Sequence, residues 1–392
     1  MLGKTMGERK VAKTGESPIR VLFLASELFP EKLGGVQTVM YQLTRHLSPR
    51  VNLALIAIKP ESPETTVHYQ DRARLHLVPS FGKGPWKYLP RNLAYAASAL
   101  SMPRVDVVHY HILPGANCFI CPAVFRFLKG AKQVISVHDW IPLEMGYYDS
   151  REKLEHLLHW WFARKNLGLA DRFVVNSTFM RDILQSHGYS MVTVIPDGMT
   201  LAEWIDAETM PLPGQVKLAF WGKLFSKKGL DTLIKAFALL SREFPDTHLY
   251  LVGSGPEEGQ YRKLTQDLGL SCRVHFMGKV DHDILKRLAA SSDVCVFPSQ
   301  YEGFGISILE AMALGKPVVT SNRGGQLDFV VHGKNALLVD PDNPERLAAC
   351  LAKLAKDAGL RRSLGKEARK TAEKYDWGRI APLYEELYLD LL

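Results

Sequence analysis

The run PSQYEGFGI at residues 298–306 leads directly into SILEAMALGKP at 307–317. A glycine-hinged turn here feeds a helix that is apolar nearly all round, with Glu310 its one charge and Glu302 just outside its start. The N-terminus of such a helix gathers unpaired backbone N–H groups and the positive end of the helix dipole, so it suits an anion, a phosphate above all. Glu310 lies about five residues into the helix, roughly 7 Å along its axis. The two carboxylates can therefore meet different ends of one extended ligand. A carboxylate within an apolar helix is costly unless something hydrogen-bonds it, whether a ligand or another side chain.

A second charged turn, WGKLFSKKG at 221–229, follows an apolar run and opens a helix at 230–240. Lys223, Lys227 and Lys228 bring up to three ammonium groups to one turn, which suits neutralising a diphosphate leaving group. Without a ligand the same turn is a solvated basic loop. Gly34 and Gly35, in EKLGGV at 31–36, permit φ > 0 and close backbone approach at a helix N-terminus, fitting a phosphate or an ordinary turn. His138 and Asp139 end another apolar run, and His109 and His111 a third. Structural and acceptor-side roles suit His109 and His111 equally. The carboxylates of Asp281 and Asp283 have the D-x-D form of a metal site but stand where helix caps prefer them, before residues 284–288. No metal site is expected. Cys118 and Cys121 lack a second pair to complete a zinc site and read as small core residues, while Cys272, Cys295 and Cys350 sit singly in apolar surroundings.

What must position these residues is a set of short apolar runs with helical segments between them. Six lie at 21–26, 53–58, 105–111, 134–138, 173–177 and 192–196, and six more at 217–222, 249–253, 274–278, 294–299, 317–321 and 336–340. Continuous apolar runs ending in Gly, Ser, His or Pro before a helix describe parallel strands buried on both faces. Two doubly wound α/β domains follow, with ligands expected beyond the carboxyl ends of the strands. The expected division is a disordered basic segment 1–18, a first domain 19–200, a linker 201–215 marked by PLPG at 211–214, a second domain 216–375, and a C-terminal amphipathic helix 376–392.

Glu302 and Glu310 match the E-x7-E pattern of the retaining glycosyltransferases of family 4, and the chain resembles that family from Val21 onward. The resemblance implies a GT-B architecture: two Rossmann-like domains facing a cleft, with the C-terminal helix crossing back to the first. It implies a retaining, metal-independent hexosyltransferase that uses a nucleotide diphosphate sugar and needs no cofactor. By the same resemblance, Glu302 takes the sugar hydroxyls, the backbone at Phe304, Gly305 and Ile306 the diphosphate, and Glu310 the ribose. Lys223 and Lys228 face the diphosphate, and His138 lies near the transferred sugar. Gly34, Gly35, Gly222, Gly253, Gly255 and Gly278 line the donor site, and His109, His111 and Asp139 the acceptor side. The chain departs from the family pattern where Lys223 replaces an Arg, Asp197 an Asn, Thr200 an Asp, and Leu327 and Asp328 a Pro-Glu pair. A lysine lacks the planar fork of an arginine, so it orients a phosphate less firmly.

The 46% apolar and 23% charged fractions are those of a globular protein, and no apolar run approaches the roughly 18 residues that would cross a bilayer. No apolar leader is visible at the start, and the unpaired cysteine count points to a reducing cytoplasm. The net charge of +8 lies entirely in residues 1–200, with 24 Lys and Arg against 16 Asp and Glu. That field suits an anionic membrane surface or an acidic acceptor, or serves solubility alone. No nucleic acid is expected as a partner. Trp86, Lys87, Tyr88, Arg91 and Tyr95, and the apolar stretch 122–128, suit either a bilayer surface or the core. Expected acceptors are glycans, lipid-linked intermediates or small molecules of cell-envelope or polysaccharide synthesis. A glycogen- or starch-synthase-like glucan transferase, sharing the K-x-G-G start at Lys32, and a non-catalytic nucleotide-sugar-binding scaffold are the alternatives.

Overall fold

The structure, a computed structural model, describes residues 18–25, 28, 35–61, 66, 69, 71–80, 88–111, 118–138 and 164–392. The N-terminal segment before residue 18, Gly34 with the rest of 31–34, Trp86, Lys87 and Asp139 lie outside the described residues. Two parallel sheets account for the twelve apolar runs. The first contains β1 Ile19–Leu24, β2 Val51–Ile58, β3 Ala73–Val78, β4 Val107–Tyr110, β5 Lys132–Val137, β6 Arg172–Val175 and β7 Val192–Val194, in the order β3-β2-β1-β4-β5-β6-β7. The second contains β8 Val216–Trp221, β9 Thr247–Val252, β10 Val274–Gly278, β11 Val294–Phe297, β12 Val318–Ser321 and β13 Leu337–Val339, in the order β10-β9-β8-β11-β12-β13. In each the strand order reverses beside the first strand, and that reversal opens a crevice at the strands' carboxyl ends.

β3 is a correction to the six strands expected in the first half. It sits at the sheet edge, where Arg74 and Leu77 are exposed, so its sequence lacks the continuous apolar run of a strand covered on both faces. The helices are α1 Gly35–His46, α2 Tyr88–Ser101, α3 Thr178–Ser186, α4 Leu230–Glu243, α5 Glu258–Asp267, α6 His282–Ser291, α7 Ile306–Ala313, α8 Pro344–Lys356, α9 Ala358–Ala372 and α10 Trp377–Leu391.

Strand starts are tied together by a repeated device. An Asp standing just before one strand accepts the backbone N–H at the start of its neighbour: Asp106 from Arg20, Asp171 from Gln133, Asp246 from Gln215, and Asp293 from Lys217. Asp106 also takes the Arg20 guanidinium, and that hydrogen bond holds the Asp106 carboxyl below the usual carboxylate range. These ties sit at the end of each sheet remote from the crevice. The carboxyl ends of the strands are left to loops.

α10 belongs to the core of the first sheet. Trp377, Ile380, Ala381, Tyr384, Leu387 and Tyr388 form its buried stripe at helical spacing. Asp376 caps it by accepting from Gly378 N, and also accepts from Leu201 N, while Met199 N donates to Tyr375 O and Trp377 N to Met199 O. Gly198 is required there, because a Cβ would lie 2.6 Å from the Trp377 ring. Inside this packing sits His109, fully buried, with Nδ1 2.7 Å from the Tyr388 hydroxyl and Nε2 2.7 Å from Ser136 Oγ. Burial pushes its pKa down to about 3. The acceptor-side alternative for His109 is therefore corrected: both nitrogens are spent fastening α10 to β4 and β5.

Other expectations change similarly. Tyr95 and Arg91 are buried, the Tyr95 hydroxyl donating to Ala25 O, so they are core. The stretch 122–128 is split: Pro122, Val124 and Phe125 are buried, and Phe127 and Leu128 are 73% and 67% exposed. Cys118 and Cys121 are buried free thiols, pushed up by burial, Cys118 to about 12. Cys272 is exposed rather than set in apolar surroundings. Among the described residues, no helix is long and apolar enough to cross a membrane.

Candidate active site

β8 ends at Trp221, and Gly222 turns away with φ +150°. The chain then makes a single 3₁₀ turn, Ser226–Lys228, before Gly229, in the left-handed conformation, starts α4. A Cβ on Gly229 would lie 2.1 Å from Pro298 O, so glycine lets this turn rest on the loop after β11. That contact brings the two charged motifs together. Lys228 Nζ lies 2.7 and 2.9 Å from the two carboxylate oxygens of Glu302, and Ser299 Oγ donates to the same carboxylate at 2.7 Å. Burial opposes ionisation of Glu302, but Lys228 and these hydrogen bonds outweigh it and hold the carboxyl below its usual range. Of the other ammonium groups, Lys227 lies over the Tyr301 ring and Lys223 is exposed beside Phe225.

α7 begins after Gly305, which sits at φ 102°. Ile308 N and Leu309 N donate back to Gly305 O, and the N–H groups of Ile306 and Ser307 ahead of them have no acceptor within the helix. Phe304 packs against Phe329 and Tyr375 and anchors the turn from below. Glu310, one turn further along, accepts a 2.7 Å hydrogen bond from Trp221 Nε1. Burial pushes its pKa up to about 7, with Trp221 opposing the rise and Glu203 adding to it. Trp221 is in turn stacked on Trp204, their centroids 6.3 Å apart. The side-chain partner for Glu310, left open above, is thus Trp221; it engages one carboxylate oxygen.

The second sheet's loops are layered by glycines whose role is close packing. A Cβ on Gly253 would lie 1.9 Å from Gly222 O, and one on Gly255 2.2 Å from Leu224 O. Gly278 has φ +65° and open space around it. Gly35, by contrast, has no positive φ and a Cβ there would meet nothing, so the conformational argument made for the glycine pair does not hold at that residue. Asp281 makes no capping hydrogen bond, Asp283 pairs with Lys286, and among the described residues no three His, Cys, Asp or Glu side chains gather to hold a metal ion.

The first sheet faces this assembly with the ends of β5, β6 and β7. His138 follows β5, and its backbone carbonyl lies against Gly303, where a Cβ would come within 2.9 Å of it. Ser177 caps α3 by accepting from Met180 N, and donates to Gly303 O at 2.6 Å. Beside it, Asp328 accepts from Thr178 N and from the Thr178 hydroxyl. Glu302 and His138 are thereby set on facing loops of one cleft. His111, 2% exposed, stacks between His109 and His138 at 4.1 and 6.1 Å, and burial lowers its pKa well below the usual range. Ser177, Asn176 and Ser299 are supports that the sequence reading does not single out; the signal for the first two is their place at the end of the run 173–177.

Residues 205–371 match the model of the Glycosyl transferases group 1, and residues 33–203 that of Glycosyltransferase Family 4. An uncharacterized glycosyltransferase, YqgM of Bacillus subtilis (strain 168), is 33% identical over 382 residues, covering 94% of this chain and 97% of its own. The chain belongs to glycosyltransferase family 4. The glycosyltransferase is also 31% identical over 296 residues to a glycogen synthase of Mycobacterium tuberculosis (strain CDC 1551 / Oshkosh), covering 73% of this chain and 69% of that one. Among solved structures, Anabaena Alr3699/HepE in complex with UDP-glucose shares the fold with a TM-score of 0.75 at 23% identity, covering 95% of this chain and 100% of that one. The GT-B arrangement expected from the resemblance is the one observed.

In this glycosyltransferase the loop carrying Glu302 is held from behind by the turn 323–326. Gly325 N donates to Glu302 O, and a Cβ on Gly325 would lie 1.9 Å from Gly303 O and 2.6 Å from Ser177 Oγ. Gly325→Ala must push that loop by more than about 1 Å, a misplacement that costs roughly 10²-fold in rate. Initial-rate measurements on the purified variant, with donor saturating, will read the loss.

Proposed function

We propose that the protein is a retaining, metal-independent hexosyltransferase that moves a sugar from a nucleotide diphosphate donor to an acceptor hydroxyl. The observation that carries this reading is the part-buried Lys228–Glu302 pair before the N-terminus of α7. A diphosphate arriving at that terminus competes for the Lys228 ammonium and releases Glu302 to accept hydrogen bonds from sugar hydroxyls. Lys223 completes the neutralisation from the rim, and His138 meets the sugar from the opposite loop. The acceptor oxygen attacks the anomeric carbon on the face the leaving phosphate departs. The bond from that carbon to the phosphate oxygen breaks as the new glycosidic bond forms, and the acceptor proton passes to the departing phosphate. Charge neutralisation by ammonium groups and a helix N-terminus makes a metal or further cofactor unnecessary. UDP-glucose in the Alr3699/HepE structure favours a UDP-sugar as donor, and the glycogen synthase relative keeps glucan extension as the second reading.

The decisive experiment is release of nucleoside diphosphate from UDP-glucose, UDP-galactose, UDP-N-acetylglucosamine and GDP-mannose, with and without chelator. Release from one donor that survives chelator is expected, and Lys228→Ala should slow it by roughly 10²–10³-fold. A loss below about threefold, or dependence on a divalent ion, would sink the assignment.

Glu310 is read as the ribose carboxylate. With its pKa at about 7, the ionised fraction rises roughly tenfold between pH 6 and 8. Only the carboxylate accepts from both ribose hydroxyls, so the donor KM should fall as pH rises over that interval. In Glu310→Gln the KM should be higher and flat with pH, which a series of donor titrations will check.

For the acceptor, a lipid-linked molecule at an anionic bilayer is favoured. Leu89, Leu93 and Leu100 are exposed on α2, and Phe127 and Leu128 are exposed just before Lys129, whose ammonium donates to Leu100 O. Replacing Phe127 and Leu128 together with Ser should weaken co-sedimentation with phosphatidylglycerol vesicles at low salt by roughly tenfold or more.

A further inference from the structure

Three consecutive strand ends of the first sheet deliver His138, Asn176 and Asp197 to one buried spot. Asn176 Nδ2 lies 2.8 Å from Asp197 Oδ2 and 3.4 Å from the His138 backbone oxygen. Two oxygens that can only accept face the same amide atom, so that atom is the nitrogen and the orientation of Asn176 is fixed. Asp197 is 4% exposed, its Oδ1 makes no hydrogen bond, and this oxygen lies 3.8 Å from His138 Nδ1. Leaving a buried carboxylate oxygen bare is expensive, and a side-chain movement of under about 1 Å closes the gap to hydrogen-bonding distance.

The titratable groups packed around the pair are His111, His109 behind it, and Tyr384 against Asp197. Burial lowers the two histidines and raises the tyrosine, so all three are neutral near pH 7. Burial raises Asp197 as well, while His138 and the Asn176 hydrogen bond favour its charged form.

We propose that Asp197 is the positioning residue of the cleft histidine, holding His138 as its Nδ1–H tautomer and so making Nε2 an acceptor for a hydroxyl of the transferred sugar. The proposal rests on the reading of the cleft as the sugar site. The family pattern has Asn at this position, and geometry says what that residue would do here. Asn176 already donates to the Oδ2 side, so an Asn at 197 must turn its oxygen toward Asn176 and its NH₂ toward His138 Nδ1. Nδ1 must then accept, the proton moves to Nε2, and the acceptor becomes a donor.

The test is a long-range ¹H–¹⁵N spectrum of the full, ligand-free chain with ¹⁵N-labelled histidine, His138 being assigned by the resonance lost in His138→Gln. The expected result is a protonated Nδ1 in the natural protein and a protonated Nε2 in Asp197→Asn. That variant should also lose about tenfold or more in kcat with little change in donor KM, because a donor now meets a donor. A wild-type spectrum with the proton on Nε2, or a tautomer unchanged in Asp197→Asn, overturns the proposal. If the variant does not fold, the wild-type spectrum alone decides. Failure of every donor to turn over would sink the transferase reading and leave the tautomer result untouched.

Discussion

A carboxylate and an ammonium taken out of water together lose more hydration than their attraction returns unless every remaining lone pair and proton finds a partner. The part-buried pair formed by Lys228 and Glu302 answers this with close contact, Lys228 meeting both carboxylate oxygens, and with loops bonded around it. Ser299 fills one carboxylate oxygen, Gln300 N donates to Lys227 O, and Gly325 N takes the Glu302 carbonyl. The loops that follow β8 and β11 are joined by this charge pair and the Gln300–Lys227 bond, and the loop after β12 is tied to them by the Gly325–Glu302 backbone bond. Moving either partner removes the other's ion-pair contact, so the positions of the two loops are coupled.

The same constraint explains why so many glycines crowd the cleft. Loops that must converge on one ion pair have to cross each other's backbones closely, and Gly229, Gly253, Gly255 and Gly325 stand where a carbonyl oxygen occupies the space of a Cβ. Their sequence signature is that of a phosphate loop because both uses ask for the same thing, a backbone without side chains. Packing of loop on loop is what these four positions require. Gly229 and Gly305 each also combine a left-handed backbone with the mouth of a helix.

Strands buried on both faces were legible in the sequence, since nothing but a continuous apolar run serves there; β3 escaped because an edge strand needs no such run. The two charged turns were legible as chemistry, and their spacing along the chain said nothing of their direct contact. Partners far apart in sequence stayed hidden: His109 depends on Tyr388, Glu310 on Trp221, and Ser177 on Gly303. A histidine at a strand end reads alike whether it faces a cleft or a helix from the far end of the chain. Asp197 was legible as a departure from the family pattern, but its meaning appeared only when β5 and β7 set it beside His138.

α10 follows both sheets in the chain and completes the first of them. During synthesis, which runs from the N-terminus, the first sheet emerges with Trp377, Tyr384 and Tyr388 still unmade, so His109 and the apolar surface around it have no cover. The second domain, whose core draws on residues 199–372, can close before that helix leaves the ribosome. Birth order and completion order are thus reversed, and the half of the molecule translated first waits longest for its native interior.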